Sequence, residues 1–241
     1  MKRIRLDTVD STMKYLACHE VVACEDSFVL VTAEQQTEGR GQQGTSWESE
    51  RGKNLLFSIR LDRPPLKFDR LFLLSEANAL ALVETLDEYA EGFSIKWPND
   101  IYFEEKKISG TLVQHTFQGA AVAHTIVGVG LNVNQTVFKS DAPNPVSLIN
   151  IIGREVERER LLSAYLERFE AYLQMLGNDR CEDLHQRYLR RLYRLGKWAD
   201  YRDAQGCFRA QIVDVEYAGT LVVALPDGTQ RRYAFKEVQY E

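Results

Sequence analysis

Two short β-rich runs, residues 28–33 and 55–61, are separated by a polar stretch, residues 34–53, with four glycines and no hydrophobic periodicity. A structureless segment of about 20 residues inside a compact domain is uncommon, and functional loops are the usual exception. Its centre reads Gly39-Arg40-Gly41-Gln42-Gln43-Gly44-Thr45-Ser46-Trp47. The glycines let backbone approach a ligand closely and take positive φ. Successive N–H groups in such a loop can form an anion-binding concavity, to which Arg40 adds a fixed charge. The spacing fits neither the dinucleotide fingerprint nor the triphosphate P-loop. An ordinary surface loop is the plain alternative, and these residues alone leave both readings open.

Around the loop, periodicity predicts a mixed α+β fold. Residues 3–9 alternate as a strand, and Asp10, Ser11 and Thr12 then offer oxygens to a helix start, with a helix over residues 13–20. A helix is predicted over 68–89, with Leu71, Leu74, Ala77, Ala81 and Val83 among its apolar positions, and a strand over 93–97 ended by Pro98. Residues 101–103 and 108–117 flank a polar turn and read as a hairpin, and 120–133 reads as a Val- and Gly-rich strand. Amphipathic helices are expected over 157–176 and 182–195. Short strands follow over 208–217, 220–225 and 231–235, with Asp227-Gly228 as a hairpin turn. The expected organisation is a mixed-sheet domain with helices over 1–194, then a small SH3-like β-barrel over 195–241.

Charge narrows the function classes. The 241 residues carry a formal charge of −5. All of that excess falls in residues 1–153, where acidic side chains outnumber basic ones; beyond them the two balance. A broad nucleic-acid face usually shows as net positive charge, so nucleic acid is not an expected partner. No apolar run approaches the roughly 20 residues of a membrane helix, and the first residues turn acidic before any long apolar stretch, so neither a membrane span nor a secretory signal is expected. Cys18, Cys24, Cys181 and Cys207 lack metal-site spacing and are expected to be reduced cytoplasmic thiols, most of them buried.

Three further motifs carry polar chemistry. Lys96-Trp97-Pro98-Asn99-Asp100 presents Asn99 and Asp100 at a strand end, where ligands are often met, though Pro-Asn-Asp is also common turn chemistry. Lys107-Ile108-Ser109-Gly110 follows seven residues past Asp100, across the expected hairpin. A hairpin lysine is ordinarily solvated unless its strand returns it toward the glycine loop. Gly128-Val129-Gly130-Leu131-Asn132 places glycines inside a strand, which marks a bulge or close approach, and Asn132 offers a donor and an acceptor that suit an adenine edge.

Each motif is modest alone, but their order and spacing together are specific. The series closely resembles the catalytic domain of the biotin–protein ligases. Asp10-Ser11-Thr12, Gln36 and Ser147-Leu148 extend the resemblance, which spans about residues 3–194. It implies a class II synthetase-like catalytic fold with a β module after it. It also implies ATP-dependent conversion of biotin to biotinyl-5′-AMP, then transfer to a lysine of a biotin carboxyl carrier protein. Position by position, it implies that Ser11, Thr12, Gln36, Gly39, Arg40, Lys107, Gly110 and Gly128 meet biotin. Gly41, Trp47, Asn99, Asp100 and Asn132 would meet the nucleotide. Arg40, Lys107 and Asp100 would act in catalysis, with Asp100 near Mg²⁺. Residues 37–53 would be a lid. Relatives are monomers or homodimers, and some carry a DNA-binding head for which the expected first strand leaves no room. A lipoate or octanoate ligase of the same fold and a non-enzymatic biotin sensor are the alternatives.

The loop departs from the family pattern Gly-Arg-Gly-Arg-x-Gly-Arg-x-Trp, because Gln42 and Thr45 stand where arginines are usual. Two cations are thereby missing beside an anionic intermediate. Gln42→Arg is expected to slow release of biotinyl-5′-AMP; equal off-rates for variant and wild type would exclude this role.

Overall fold

The computed structural model describes residues 1–19, 28–41, 45–64, 66–139 and 144–241. Its chain opens with β1 (Lys2–Val9), α1 (Thr12–Cys18), β2 (Phe28–Gln36) and β3 (Leu55–Asp62). A 3₁₀ turn (Phe68–Arg70) leads into α2 (Phe72–Leu86), followed by β4 (Phe93–Lys96), β5 (Asp100–Phe103), β6 (Lys106–Gln118) and β7 (Ala121–Leu131). These seven strands form one sheet in the order β1-β2-β3-β7-β6-β5-β4, in which β1 and β2 run parallel and every other pair is antiparallel. Then come α3 (Leu148–Ile152), α4 (Arg158–Gly177) and α5 (Cys181–Arg190). A second, antiparallel sheet follows, built from β8 (Trp198–Asp203), β9 (Gly206–Val215), β10 (Leu221–Ala224), β11 (Gln230–Tyr233) and β12 (Gln239–Tyr240), in the order β11-β10-β9-β8-β12. The fold is α+β with a mixed sheet and a small SH3-like module at its C-terminal end.

Helix α2 is buried nearly all round, Phe72 and Glu84 excepted. Its apolar positions read as one stripe in the sequence, but the sheet covers one side while α4 and α5 cover the other. Its polar residues are therefore buried too, and buried polar groups require partners. Asn78 donates to Thr111 Oγ1 at 3.0 Å and accepts from the Tyr165 hydroxyl at 2.7 Å. Thr85 donates to its own helix, at the Ala81 carbonyl, at 2.7 Å.

Several boundaries differ from expectation. The helix over 68–89 begins as a 3₁₀ turn and ends at Leu86. Helix α5 stops at Arg190, short of 195, because Leu192 and Leu195 are drawn into bridges with Ile95 and Ile212. Strands β8 and β12 and helix α3 were not foreseen, each being short or weakly patterned. Cys18 and Cys207 are exposed and only Cys181 is buried among the described cysteines, all free thiols, so the expectation that most are buried fails. Cys18 sits at the end of α1 and Cys207 on an outward position of β9. Glu20 and Cys24 lie outside the described residues.

The two sheets are locked together through Trp97 and α2. The Trp97 indole donates to the Gly219 carbonyl at 3.0 Å and its ring meets Phe235 at 5.9 Å. Gly219, at φ +89°, lies so close to Phe72 that a Cβ there would stand 2.7 Å from the ring. Beside this contact, Glu76 of α2 is fully buried and accepts from His185 Nδ1 of α5 at 2.8 Å, while Asp214 of β9 lies 4.0 Å from Nε2. Burial raises the Glu76 carboxyl above the ordinary carboxylate range, its bond to His185 opposing. Burial also opposes charge on His185, but the bond to Glu76 and the nearby charges of Asp214 and Glu182 outweigh it, so His185 is raised. Both shifts leave the folded protein holding protons that the unfolded chain releases. The His185 contribution is present below the unfolded value of about 6.5 and is lost as pH rises through the folded value. Unfolding free energy from urea titrations is expected to fall between pH 6 and 8 more steeply in wild type than in His185→Gln; parallel pH profiles would refute the linkage.

A glycine-floored candidate active site

The site starts from three glycines on one face of adjacent strands. Gly110 of β6 pairs with Gly130 of β7, and Gly128 lies two residues back on β7, hence on the same face. A Cβ on Gly130 would stand 2.4 Å from the Trp47 indole, one on Gly110 2.9 Å from the same ring, and one on Gly128 2.4 Å from Met13 Sδ. No side chain fits there, so the sheet presents bare backbone, with Met13 of α1 and Trp47 of the glycine loop laid upon it. The cavity alongside has a volume of about 700 Å³.

The glycine loop doubles back as a small antiparallel flap. Arg40 bridges Ser46, Gly41 N–H donates to the Thr45 carbonyl at 2.9 Å, and Trp47 N–H donates to the Gly39 carbonyl at 2.9 Å. Gln42, Gln43 and Gly44 lie outside the described residues. The returning limb is fastened by a buried amide pair. Gln135 Oε1 accepts from Glu50 N–H at 2.9 Å and from Asn54 Nδ2 at 2.7 Å, and Asn54 Oδ1 accepts from Val133 N–H at 2.9 Å.

One wall carries hydroxyl and amide groups. Gln36 Oε1 accepts from Thr12 N–H at 2.8 Å and from Thr12 Oγ1 at 3.0 Å, and Thr12 Oγ1 also meets buried Ser58 Oγ at 2.7 Å. Ser11 is buried at the N-cap of α1, but its hydroxyl makes no capping bond; the Asp10 carboxylate instead accepts from Ser11 N–H at 2.7 Å.

The opposite end is charged. Lys107 Nζ bonds Asp100 Oδ2 at 2.5 Å and lies 5.9 Å from the centroid of the Trp47 ring. The turn between β5 and β6 returns Lys107 to Asp100, and residues 144–146 hold it there: Lys107 N–H donates to Asn144 O and its carbonyl accepts from Val146 N–H, both at 2.9 Å. The same segment holds Asn132, whose Nδ2 donates to Val146 O at 3.1 Å while its buried Oδ1 has no protein partner. Lys96 stands behind, 3.2 Å from the Tyr102 hydroxyl and between the Tyr102 and Tyr240 rings. Burial lowers the Lys96 pKa, with Asp100 opposing, and burial pushes Tyr102 up to about 12.

Ser11, Thr12, Gln36, Arg40, Gly41, Trp47, Asp100, Lys107, Gly110, Gly128 and Asn132 thus line a single cavity. Two predicted residues do not. Gly39 sits at the base of the flap, where a Cβ would stand 2.6 Å from the Trp47 carbonyl, so its smallness serves the hairpin. Asn99 is buried against α2, where its Nδ2 donates to Ser75 Oγ at 2.8 Å. Asn99 lies in the turn before β5 and is held toward α2 by that bond, whereas Asp100, the first residue of β5, lines the cavity. Met13, Ser58, Tyr102 and Lys236 belong to the surroundings yet escaped the sequence reading. As an apolar helix residue, a strand serine, a strand tyrosine and a turn lysine, they carry no motif.

A flat backbone floor, a hydrogen-bonding wall and a cationic end suit a ligand with a compact polar ring and an anionic tail. Comparison with known proteins gives this arrangement its context. Residues 6–132, just over half of the chain, match the model of the biotin/lipoate A/B protein ligase family. The bifunctional ligase/repressor BirA of Bacillus subtilis is 28% identical over 240 residues, covering 95% of this chain and 71% of that protein. The biotin–[acetyl-CoA-carboxylase] ligase of Paracoccus denitrificans is 28% identical over 83% of this chain and 85% of its own. Among solved structures, the biotin protein ligase from Aquifex aeolicus in complex with biotin and ATP superposes with a TM-score of 0.82 at 27% identity, over 100% of this chain and 99% of that one. The chain belongs to the biotin/lipoate A/B protein ligase family.

Gly130→Ala is expected to lift the indole off the sheet and loosen the flap. Trypsin cleavage at Arg40 and Arg51 should accelerate several-fold, while stability falls by roughly 1 kcal/mol or less because Trp47 is only half-buried. Unchanged cleavage would show that the flap does not depend on this contact.

Proposed function

We propose that this protein is a biotin–protein ligase that makes biotinyl-5′-AMP from biotin and ATP and passes the biotinyl group to a lysine of a biotin carboxyl carrier protein. The observation that carries the reading is the Lys107–Asp100 pair at the end of the glycine-floored cavity, with Arg40 on the flap beside it. The catalytic unit is residues 1–194 and the β module 195–241, and the compartment is the cytoplasm. No helix among the described residues is long and apolar enough to cross a membrane.

In the first step a biotin carboxylate oxygen attacks the α-phosphorus of ATP, and the bond to pyrophosphate breaks. Two anions must meet, so the requirement is for positioned cations rather than for a nucleophilic side chain. Lys107 and Arg40 are those cations. Thr12, Gln36 and Ser11 take the ring end of biotin, with Gly110 and Gly128 leaving room for it. Trp47, Gly41 and Asn132 take the nucleotide, and the unpartnered Asn132 Oδ1 suits an adenine amino group. Asn99 acts from behind, by holding the turn that presents Asp100. Mg²⁺ usually keeps several waters and takes one or two carboxylates plus substrate phosphates. Asp100 fits as such a carboxylate and would hold the ion, which would neutralise charge on the triphosphate. In the second step the carrier amine attacks the acyl carbon, AMP leaves and the amine loses a proton. Asp100, paired with Lys107 in the cavity, is the carboxylate we assign to orient that amine or receive the proton. The flap, as a lid, would keep water from the mixed anhydride.

Incubation with biotin, MgATP and a carrier domain should yield one biotinylated lysine by mass spectrometry. Lys107→Ala should lower biotin-dependent exchange of pyrophosphate into ATP by about 10²–10³-fold, the usual loss for an electrostatic stabiliser. Exchange with lipoate in place of biotin would favour the lipoate ligase reading, and biotin binding without exchange would favour a sensor.

A further inference from the structure

Tyr102 stands two residues past Asp100 on β5 and opposite Lys107 on β6, and all three line the cavity. Its ring is fixed by its neighbours: it lies 5.8 Å from the Tyr193 ring, and the Lys96 ammonium stands 4.8 Å from its centroid. The Tyr240 ring, 4.7 Å away, holds Lys96 from the other side. The Tyr102 hydroxyl oxygen accepts from Lys96 Nζ at 3.2 Å. A phenol has one donor and an oxygen that accepts, whereas a lysine ammonium has three donors and no acceptor. The direction of this bond is therefore forced, and the phenol proton points away from Lys96. Among the described residues that proton has no acceptor, although Tyr102 is only 9% exposed. A buried donor is costly to leave unpaired.

The surroundings point to the acceptor. The proton lies at the end of the cavity that holds Lys107 and Asp100, where the first step brings a carboxylate and a triphosphate together. A hydroxyl that accepts from an ammonium is polarised into a stronger donor. Preorganised donors stabilise a reaction where negative charge persists or develops in the transition state. The carboxylate gives up its charge as it attacks, while the non-bridging oxygens of the α-phosphate keep theirs. We propose that Tyr102 is a catalytic residue of the first step: its hydroxyl donates to a non-bridging oxygen of the α-phosphate of ATP. Lys96, which touches no substrate, is the positioning residue that directs and polarises that proton. No bond to Tyr102 is made or broken. This rests on the reading of the protein as an ATP-dependent ligase.

The test combines biotin-dependent pyrophosphate exchange with calorimetric titration of the full chain by AMP and by biotin. The proteins compared are wild type, Tyr102→Phe, Lys96→Met, Lys96→Arg and the Tyr102→Phe, Lys96→Met double variant. Loss of one hydrogen bond to a charged group should lower kcat for exchange about 10- to 100-fold in Tyr102→Phe. The Kd for AMP, which carries the α-phosphate, should rise about tenfold. The Kd for biotin should not move, which also shows that the variant is folded. Lys96→Met should lose a similar factor, and the double variant should be little worse than either, because Lys96 acts through the hydroxyl. Lys96→Arg, another cation without an acceptor, should recover most of the loss. Unchanged exchange or unchanged AMP affinity in Tyr102→Phe would overturn the assignment, as would equal weakening toward biotin, which would put the hydroxyl on the carboxylate. Additive losses in the double variant would overturn the role of Lys96. Wild type without biotin-dependent exchange would sink the ligase reading alone, leaving the AMP titration to decide on Tyr102.

Discussion

The site rests on a sheet face stripped of side chains. Where β6 and β7 place Gly110 against Gly130, with Gly128 beside them, a Cβ on any of the three would collide with Trp47 or Met13. That absence lets α1 and the glycine flap lie directly on backbone, and it sets the depth of the cavity they flank. Glycine inside a strand costs roughly 0.5–1 kcal/mol relative to alanine. The cost is borne because β7 is central, hydrogen-bonded along its length to β3 and β6. A weak strand in the middle of a ladder stays in register when its neighbours do not give.

The opposite face of the sheet explains why that ladder is stiff. Helix α2 is enclosed between the sheet and two further helices, so its polar side chains hold tertiary bonds in a dry environment where unpaired groups are costly. Those bonds run straight to site elements. Asn78 ties α2 to Thr111, the residue after Gly110, and Ser75 ties it to Asn99, the residue before Asp100. In both places a residue bonded to α2 is the immediate neighbour of a site residue. Conformational freedom at Gly110 and Asp100 is thus limited through their neighbours.

These neighbouring pairs also mark where the sequence was legible and where it was not. The strand-and-loop order, the hairpin that returns Lys107 to Asp100 and the mixed α+β layout followed from hydrophobic period and turn chemistry, which are local. Asn99 and Asp100 are indistinguishable by such rules, since which of two adjacent polar residues faces inward depends on the strand's orientation against α2. Helix α2 read as one-sided because periodicity reports apolar positions and is silent about buried polar residues with distant partners, such as Glu76 with His185. Met13 and Lys236 had no motif at all. Their places come from packing between segments far apart in the chain, here α1 on β7 and the C-terminal turn on Trp97.

The net charge of −5 would by itself set this protein against anionic ligands, and distance decides that it does not. Exposed charges more than about 8–10 Å apart are largely screened at physiological salt. Acidic side chains are also met locally, as in Asp7 with Arg51 and Glu34 with Arg158. Inside the cavity Lys107 and Asp100 stand at contact distance in part-buried surroundings, where attraction between unit charges is several times that in bulk water. Arg40, Lys107 and Lys236 come from the flap, the central sheet and the β module, so no single segment is strongly basic and no charge run appears in the sequence. The cationic field exists only once the fold has brought three separate elements to one cavity. Docking of the β module on Trp97 is therefore part of the electrostatics of the site as well as of its stability.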